Sequence, residues 1–364
     1  MARVTELVRW IFGIFSILVT PMLLGVGCGQ GDDGRNEAPD PAGSPQTLYY
    51  FTWSDYGDPA LLSEFEQKTG IKVVVDTFSS NEELLAKVQS GAAGYDVVVP
   101  SDFMAGVMGK LGLLAKLDLQ RIPNVRFLEE HLQGLDFDPD QQFAIPYLWG
   151  TVGIGYDSEV FSSPPDSWEI LWDSRYRGRI SMLNDQREVF GMALRSMGYS
   201  LNSRDPMVIE QVKEKLIRQK PLVKTYTSEH FDQLLVSGEV VLAHAWGGPI
   251  ARARRERASV RYVVPREGGT IWTDCLAVPQ TSTKKELAME LINYLLDVEV
   301  GVKTSNRLLF ASANRLVKER VNAEVRDNPA VYPPLNILSR MEWMTDVGDA
   351  IRYYDRAWTE LKVH

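Results

Sequence analysis

The stretch YYFTWSDYGDPALLSEFEQKTG, residues 49–70, contains the change from a β-strand to an α-helix that sets the fold class. Aromatic and β-branched residues predict a strand over 48–53. Asp58 has the position of an N-cap, Pro59 that of the first helical residue, and Gly70 follows the last turn, so a helix is predicted between them. The residues between strand and helix, WSDY, set a carboxylate between two aromatic rings. This combination at a strand end indicates a candidate binding loop.

The alternation of strand and helix continues after this stretch. IKVVVDTF (71–78) and YDVVVPS (95–101) are predicted strands. Between them, EELLAKVQSG is a predicted helix with Asn81 as its N-cap. Strand, helix, strand, helix and strand in succession predict a parallel α/β sheet.

A second α/β region follows farther along the chain. AIPYLWGTVGIGYD (144–157) is a β-rich run interrupted by Gly150, Gly153 and Gly155, and we interpret it as a strand that crosses between two domains. GRISML and VVLAHAW, beyond it, are predicted strands. The chain is longer than one core usually supports, so two domains are expected.

The N-terminus has the pattern of an export signal. Arg3 and Arg9 precede an apolar run over 10–24, which is the layout of a secretory signal peptide. The run is short for a bilayer span of about 20 residues, so a transmembrane anchor is the alternative. The protein is therefore expected outside the cytoplasm.

The end of this signal resembles a bacterial lipoprotein signal. In LLGVGCGQGDDG, cleavage would leave Cys28 at the new N-terminus as the lipid anchor, although Gly25 stands where a larger apolar residue is usual. We predict a signal peptide over 1–27 and a lipidated cysteine with a flexible tether over 28–46, since the latter segment is rich in Gly, Pro, Asp and Ser. The lipid would attach the protein to a membrane.

The composition limits the classes of partner. The 364 residues carry a net charge of −9, which disfavours nucleic acid and favours cationic ligands. The second cysteine, Cys275, lies in an apolar strand and is predicted to be a buried thiol. We find no zinc or serine-hydrolase motif, and expect no metal, no cofactor, no catalytic residues and no enzyme activity.

The candidate binding residues follow or lie on predicted strands. In open α/β sheets, ligands bind outside the carboxyl ends of the strands. The strand ends carry aromatic, carboxylate and hydroxyl side chains: Trp53, Ser54, Asp55, Tyr56, Ser101, Asp102, Phe103, Asp185, Glu188, Trp246, Trp272 and Asp274. The same strand ends carry only one arginine, Arg187. Carboxylates accept charge-assisted hydrogen bonds from ammonium groups and aromatic faces attract cations, so the set predicts a multiply charged organic cation as ligand.

Several motifs together resemble one family. TWSDY, YDVVVPS, IPYLWGT, DQREVFGMALRSMGYS, GGTIWTDCLAVP and EWMTDVG occur in the order found in the bacterial polyamine-binding proteins, the spermidine/putrescine receptors of ABC importers. The resemblance extends from about residue 48 to the C-terminus. It implies an α/β fold of two domains, a clamp of the periplasmic-binding-protein type in which each domain has a mainly parallel sheet flanked by helices and the ligand lies in the cleft.

The resemblance also implies domain boundaries and partners. The N-terminal domain would comprise 47–149 plus 274–318, and the C-terminal domain 150–273 plus 319–364. The expected ligand is a polyamine, putrescine or spermidine, and the expected partners are the membrane subunits of an ABC importer. The receptor is expected to act as a monomer.

Residue by residue, the resemblance assigns ligand-binding roles to a set of cleft positions: Trp53, Ser54, Asp55, Tyr56, Ser101, Phe103, Asp185, Glu188, Trp246, Trp272, Asp274 and Phe310. WSDY is closer to the putrescine-type members than to the spermidine-type ones. Phe103 and Phe310 stand where tyrosines are common, and Met344 where a glutamine can contact an amine. These differences leave the carboxylates in place, so they bear on which polyamine binds.

Structural roles are the alternatives for the same residues. Asp185 and Glu188 have the D-x-x-E spacing of a helix capping box, and Asp55 could begin the turn before the first helix. The basic segment over 251–259 could be a solvated helix face or a surface that docks on the importer. Three tryptophans could be core residues: Trp53, Trp246 and Trp272.

Three functional alternatives stay open at this point. The same clamp could bind another organic cation or a sugar, or could act as a polyamine sensor without transport. A glycosidase that uses a pair of carboxylates is the enzyme alternative.

Overall fold

The structure, a computed structural model, describes residues 46–91 and 94–364. The predicted signal peptide, Cys28 and the predicted tether up to residue 45 lie outside the described residues. No helix in the part of the chain that is described has the length and apolar character needed to span a bilayer.

The described residues alternate strands and helices along most of the chain. The strands are β1 (Thr47–Trp53), β2 (Lys72–Phe78), β3 (Val97–Val98), β4 (Ala144–Asp157), β5 (Ile180–Met182), β6 (Val223–Tyr226), β7 (Leu242–Trp246), β8 (Val260–Val263), β9 (Thr270–Ala277), β10 (Ala311–Ser312) and β11 (Glu342–Trp343). The α-helices are α1 (Pro59–Thr69), α2 (Asn81–Ser90), α3 (Asp102–Lys110), α4 (Gln186–Ser196), α5 (Pro206–Gln219), α6 (Phe231–Val236), α7 (Gly247–Glu256), α8 (Lys285–Leu295), α9 (Val298–Leu308), α10 (Ala323–Arg326), α11 (Leu335–Leu338) and α12 (Ile351–Val363).

The strands lie in the order β2-β1-β3-β9-β4-β7-β5-β6. β1 runs parallel to β2 and β3, as the strand and helix alternation predicts, and β5 runs parallel to β6 and β7. The two long strands differ: β9 is antiparallel to β3 and β4, and β4 is antiparallel to β7. The sheet is therefore mixed rather than mainly parallel.

β4 joins the two halves of this sheet. Its residues 144–151 pair with β9, and its residues 152–157 pair with β7 and β8. The strand is continuous, so its glycines do not interrupt it. They are needed for close packing instead: a Cβ on Gly150 would lie 2.7 Å from Cζ2 of Trp272, and one on Gly153 would lie 2.5 Å from the carbonyl oxygen of Val263.

Gly153→Ala is expected to destabilise the fold by about 1–3 kcal/mol, because the backbone oxygen that the methyl group meets cannot rotate away. Denaturant unfolding followed by fluorescence measures this. Gly109→Ala is the matched control, because its Cβ would lie 3.8 Å from Phe143 and an alanine favours the helix α3. Equal unfolding midpoints for Gly153→Ala and the unsubstituted protein would contradict the packing argument.

Helices cover both faces of the first half of the sheet. On one face, Phe65 of α1 packs in the cluster that contains Tyr50 of β1. On the other face, Phe51 of β1 packs with Met104 of α3 and with the buried thiol of Cys275. The stretch 50–52 of β1 is therefore buried on both sides, and the half-buried Trp53 ends the strand at the solvent.

Two helix starts decide the position of polar groups. Asp58 caps α1 through Oδ1, which accepts from the amide of Ala60 at 2.9 Å, as predicted. The predicted cap of α2 is wrong by one residue: Ser80 is the N-cap, and its hydroxyl accepts from the amide of Glu83 at 3.2 Å. Asn81 is freed by this for a contact with Ser101.

Candidate functional site

A cavity of about 390 Å³ lies at the ends of β1, β3, β5 and β7 and against β9. The twelve predicted ligand-binding residues all line it: Trp53, Ser54, Asp55, Tyr56, Ser101, Phe103, Asp185, Glu188, Trp246, Trp272, Asp274 and Phe310. Met344 lines it too. Their role in binding stays a prediction, but the structure brings the whole set to one place.

Trp272 and Asp274 line the cavity, but they are not at a strand end as the sequence pattern predicts. Both lie in the interior of β9 rather than at its end. They are two residues apart, so their side chains lie on the same face of the strand. That face is the floor of the cavity.

Asp274 is the most highly organised carboxylate of the site. Its Oδ2 accepts from the hydroxyl of Tyr56 at 2.5 Å, and its Oδ1 accepts from Ser101 Oγ at 2.8 Å. Ser101 is held in turn by Asn81, which donates to Ser101 Oγ at 3.2 Å and accepts from its amide at 3.1 Å. Burial raises the pKa of Asp274 to about 6, although these hydrogen bonds oppose the rise.

A second group of carboxyls lies beside it. Burial raises the pKa of Asp102 to about 8, and the neighbouring charge of Asp274 adds to the rise. Burial also raises the pKa of Glu188 well above its ordinary value, with a further contribution from Asp185. Oδ2 of Asp102 is buried with no hydrogen-bond partner among the described residues. Among the described residues, the cation that opposes both rises is the guanidinium of Arg187.

Asp185 and Glu188 form half of a capping box. Asp185 is the N-cap of α4, and its Oδ1 accepts from the amide of Glu188 at 3.0 Å. The side chain of Glu188 does not return to the backbone of Asp185. It accepts from the hydroxyl of Thr270 at 2.7 Å, at the wall of the cavity. The capping role and the cavity position therefore coexist in this pair.

Arg187, the one arginine found at the strand ends, does not line the cavity. It is buried behind these carboxyls and donates to the carbonyl oxygen of Thr345 and to Oδ1 of Asn202, at 3.2 Å each. Burial lowers the pKa of Arg187, and the nearby carboxylates oppose the fall. One guanidinium therefore faces three carboxyls whose pKa values burial nevertheless raises: Asp102, Asp185 and Glu188.

Aromatic rings form the walls. The ring of Trp272 meets that of Phe310 edge to face, with centroids 5.2 Å apart. Trp53 packs on Phe78 at 4.6 Å, and Trp246 lies 5.9 Å from Phe231. The tryptophans belong partly to the core, as the structural alternative proposed, but each one also lines the cavity.

Sequence reasoning missed part of the wall. The segment 228–232 after β6 and Arg252 of α7 also line the cavity. Arg252 belongs to the basic segment over 251–259, for which the sequence predicts a solvated helix face or a surface that docks on the importer. Three of its arginines instead form ion pairs within the chain: Arg252 with Asp55, Arg255 with Glu324, and Arg257 with Asp157. The signal that could have placed Arg252 is its position less than two helical turns after Trp246.

Glu188→Gln is expected to raise the melting temperature of the ligand-free protein at pH 8 by about 2 °C or more. The folded-state pKa of Glu188 lies above its unfolded value, so its favourable contribution is present at low pH and is lost as the pH rises through the folded-state pKa. Glutamine keeps an acceptor for Thr270 and does not ionise. Calorimetry at pH 5.5 and pH 8 checks this, and a stabilisation that does not grow with pH would contradict it.

No group of described side chains is placed to hold a metal ion.

Comparisons with known proteins identify the family of this chain. The family model of the bacterial extracellular solute-binding proteins matches residues 60–333. That family consists of transporter binding proteins and is not a class of enzymes.

Curated relatives match nearly the whole chain. The spermidine/putrescine-binding periplasmic protein 1 of Haemophilus influenzae is 34% identical, over 92% of this chain and 94% of its own. The spermidine/putrescine-binding periplasmic protein of Escherichia coli is 36% identical, over 87% and 91% respectively.

A solved structure is similar to this chain in fold. It is the spermidine/putrescine ABC transporter substrate-binding protein PotD of Streptococcus pneumoniae, with a TM-score of 0.77 and 30% identity over 87% of this chain and 99% of that one. The α/β clamp of the binding proteins is thus the fold of this chain. From the family match, the relatives and the fold together, the chain belongs to the bacterial extracellular solute-binding proteins.

Proposed function

We propose that the protein captures a polyamine of the putrescine and spermidine class outside the cytoplasm and delivers it to an ABC importer. The observation that carries this is the convergence of three buried carboxyls and one half-buried carboxyl in one aromatic cavity: Asp102, Glu188 and Asp274, with Asp185 half-buried. The names of the relatives support the same ligand class.

The chemistry of a polyamine complements this cavity. Its ammonium groups would form charge-assisted hydrogen bonds with the carboxylates. Its methylenes would lie against the rings of Trp53, Trp246 and Trp272, each cation–π contact contributing about 0.5–2 kcal/mol. A bound polycation would also remove the repulsion among the carboxylates. A neutral ligand would leave that repulsion in place.

The cavity is proposed to be the cleft between two domains, 47–149 plus 274–318 and 150–273 plus 319–364. The path of β4, which changes partners between residues 151 and 152, supports this division. Closure of the domains would strengthen each ion pair by excluding water, with the crossing segments absorbing the motion.

Attachment to the membrane through a lipid on Cys28, and action as a monomer, are proposed on the sequence alone. The importer partner is proposed from the resemblance and the family. Labelling with a radioactive fatty acid would test the anchor, since Cys28→Ser would abolish incorporation.

Calorimetric titration of residues 46–364 with putrescine, cadaverine, spermidine and spermine tests the proposed ligand class. Saturable binding at micromolar or lower concentration by at least one of them is the expected result. Folded protein that binds none of the four would overturn the proposal, and a panel of sugars and other organic cations would then identify the ligand.

A further inference from the structure

Arg252 brings a positive charge into a cavity of carboxylates. It is the only arginine or lysine that lines the cavity within the described residues. It extends from α7, and its side chain is only 24% exposed. Nothing in the family resemblance assigns it a role.

The guanidinium is held by two contacts. Nη2 donates to Oδ2 of Asp55 at 3.0 Å, and Nη1 donates to the carbonyl oxygen of Leu308 at 2.6 Å. The loop that carries Asp55 is fixed as well, because Arg307 donates to the Asp55 carbonyl oxygen at 2.9 Å. Asp232 is near enough for the charge of Arg252 to act on it. These contacts hold the guanidinium of Arg252 at the end of the cavity next to Asp55.

Apart from Glu229 and Asp232 in the segment after β6, the carboxyls of the cavity consequently fall into two groups. Asp102, Asp185 and Glu188 share the charge of Arg187, which lies behind the wall, and Asp274 is held by the hydroxyls of Tyr56 and Ser101. Asp55 has an ion pair of its own. A cationic ligand would find carboxyls that have no ion-pair partner of their own and can ionise to pair with it at the first group, and a carboxylate that is already paired at Asp55.

We infer that Arg252 determines specificity: its guanidinium occupies the Asp55 end of the cavity and makes the site favour a diamine over a triamine. This inference rests on the proposed polyamine function. A third ammonium group that extended toward Asp55 would lie beside a like charge, or would have to displace a guanidinium held by two contacts. Volume does not impose this limit, since the cavity of about 390 Å³ is large for a diamine.

The same end of the cavity without Arg252 would suit a third ammonium group. Asp55 would then be a free carboxylate, 60% exposed at the cavity rim. Arg252→Gln keeps a side chain that can donate to Leu308 and removes the charge. It is expected to raise the affinity for spermidine relative to putrescine by about tenfold, the effect of one partly exposed charge pair.

The experiment is titration of the purified chain with putrescine and spermidine. The unsubstituted protein is expected to bind putrescine more tightly, and Arg252→Gln to reduce or reverse that preference. Arg254→Gln is the matched control, because Arg254 lies exposed on the same helix and does not line the cavity. Arg252→Lys, which retains the charge, is expected to retain the preference for putrescine.

Each outcome bears on a different statement. Tighter binding of spermidine by the unsubstituted protein would overturn the inference without any variant, as would an Arg252→Gln ratio equal to that of the Arg254→Gln control. If Arg252→Gln does not fold, the unsubstituted protein and Arg252→Lys still decide it. Failure of the unsubstituted protein to bind any polyamine would instead overturn the proposed function.

Discussion

Asp274→Ala is expected to weaken polyamine binding by about 30-fold or more, since loss of one buried partner of an ammonium group costs about 2–5 kcal/mol. Asp274 lies on the cavity floor between the hydroxyls of Tyr56 and Ser101. Removal of its carboxylate takes away an acceptor for the ligand and leaves both hydroxyls without their acceptor. Titration with putrescine and spermidine measures the loss.

Two further variants make this result interpretable. Asp274→Asn keeps the shape and removes the charge, so it separates charge from packing and is expected to lose nearly as much affinity. Asp166→Ala is the matched control, because Asp166 is an exposed carboxylate that pairs with Arg266 on the surface. An unchanged dissociation constant in folded Asp274→Ala would show that the amine is bound elsewhere.

The second large effect is on pH. Affinity for putrescine is expected to fall by at least about 50-fold between pH 8 and pH 6, if one carboxyl with a pKa of about 8 must ionise on binding. Asp102 and Glu188 have raised pKa values in the free protein because they are buried. A bound cation favours their charged forms, so binding releases protons and strengthens as the pH rises. The ligand amines, with pKa values near that of lysine at about 10.4, remain charged over this range.

Titration at several pH values, in buffers of different ionisation enthalpy, measures both the affinity and the number of protons released. Asp102→Asn is expected to flatten the dependence, since asparagine cannot ionise. Equal affinity at pH 6 and pH 8, with no proton release, would show that these carboxyls stay protonated in the complex.

The sequence predicts most of the site because the rule for open α/β sheets is local. Trp53 and Trp246 are the last residues of their strands and Ser101 follows its own, and the β-forming run alone predicts where each strand ends. Parallel pairing of β1 with β2 and β3 follows from the helices between them. The buried state of Cys275 follows from the apolar residues around it.

What the sequence does not predict depends on contacts between distant residues. The antiparallel order of β4 and β9 arises from pairing between segments more than a hundred residues apart. The sequence pattern does not predict that the glycines of β4 permit close packing, because their role depends on distant side chains such as Trp272. The ion pair of Arg252 with Asp55 joins a helix to a loop far away in the chain, and the charge pattern of the basic segment alone does not predict it.

The chain of hydrogen bonds from Asn81 through Ser101 to Asp274 also bears on the entropy of binding. These side chains are ordered by the first turn of α2 when the protein folds, whether or not a ligand is present. The rotamer entropy of the carboxylate is therefore lost during folding and does not have to be lost again on association. Differences in affinity among a series of amines at this position should then reflect the ligands' own flexibility and hydration, which makes the receptor suitable for measuring those two quantities.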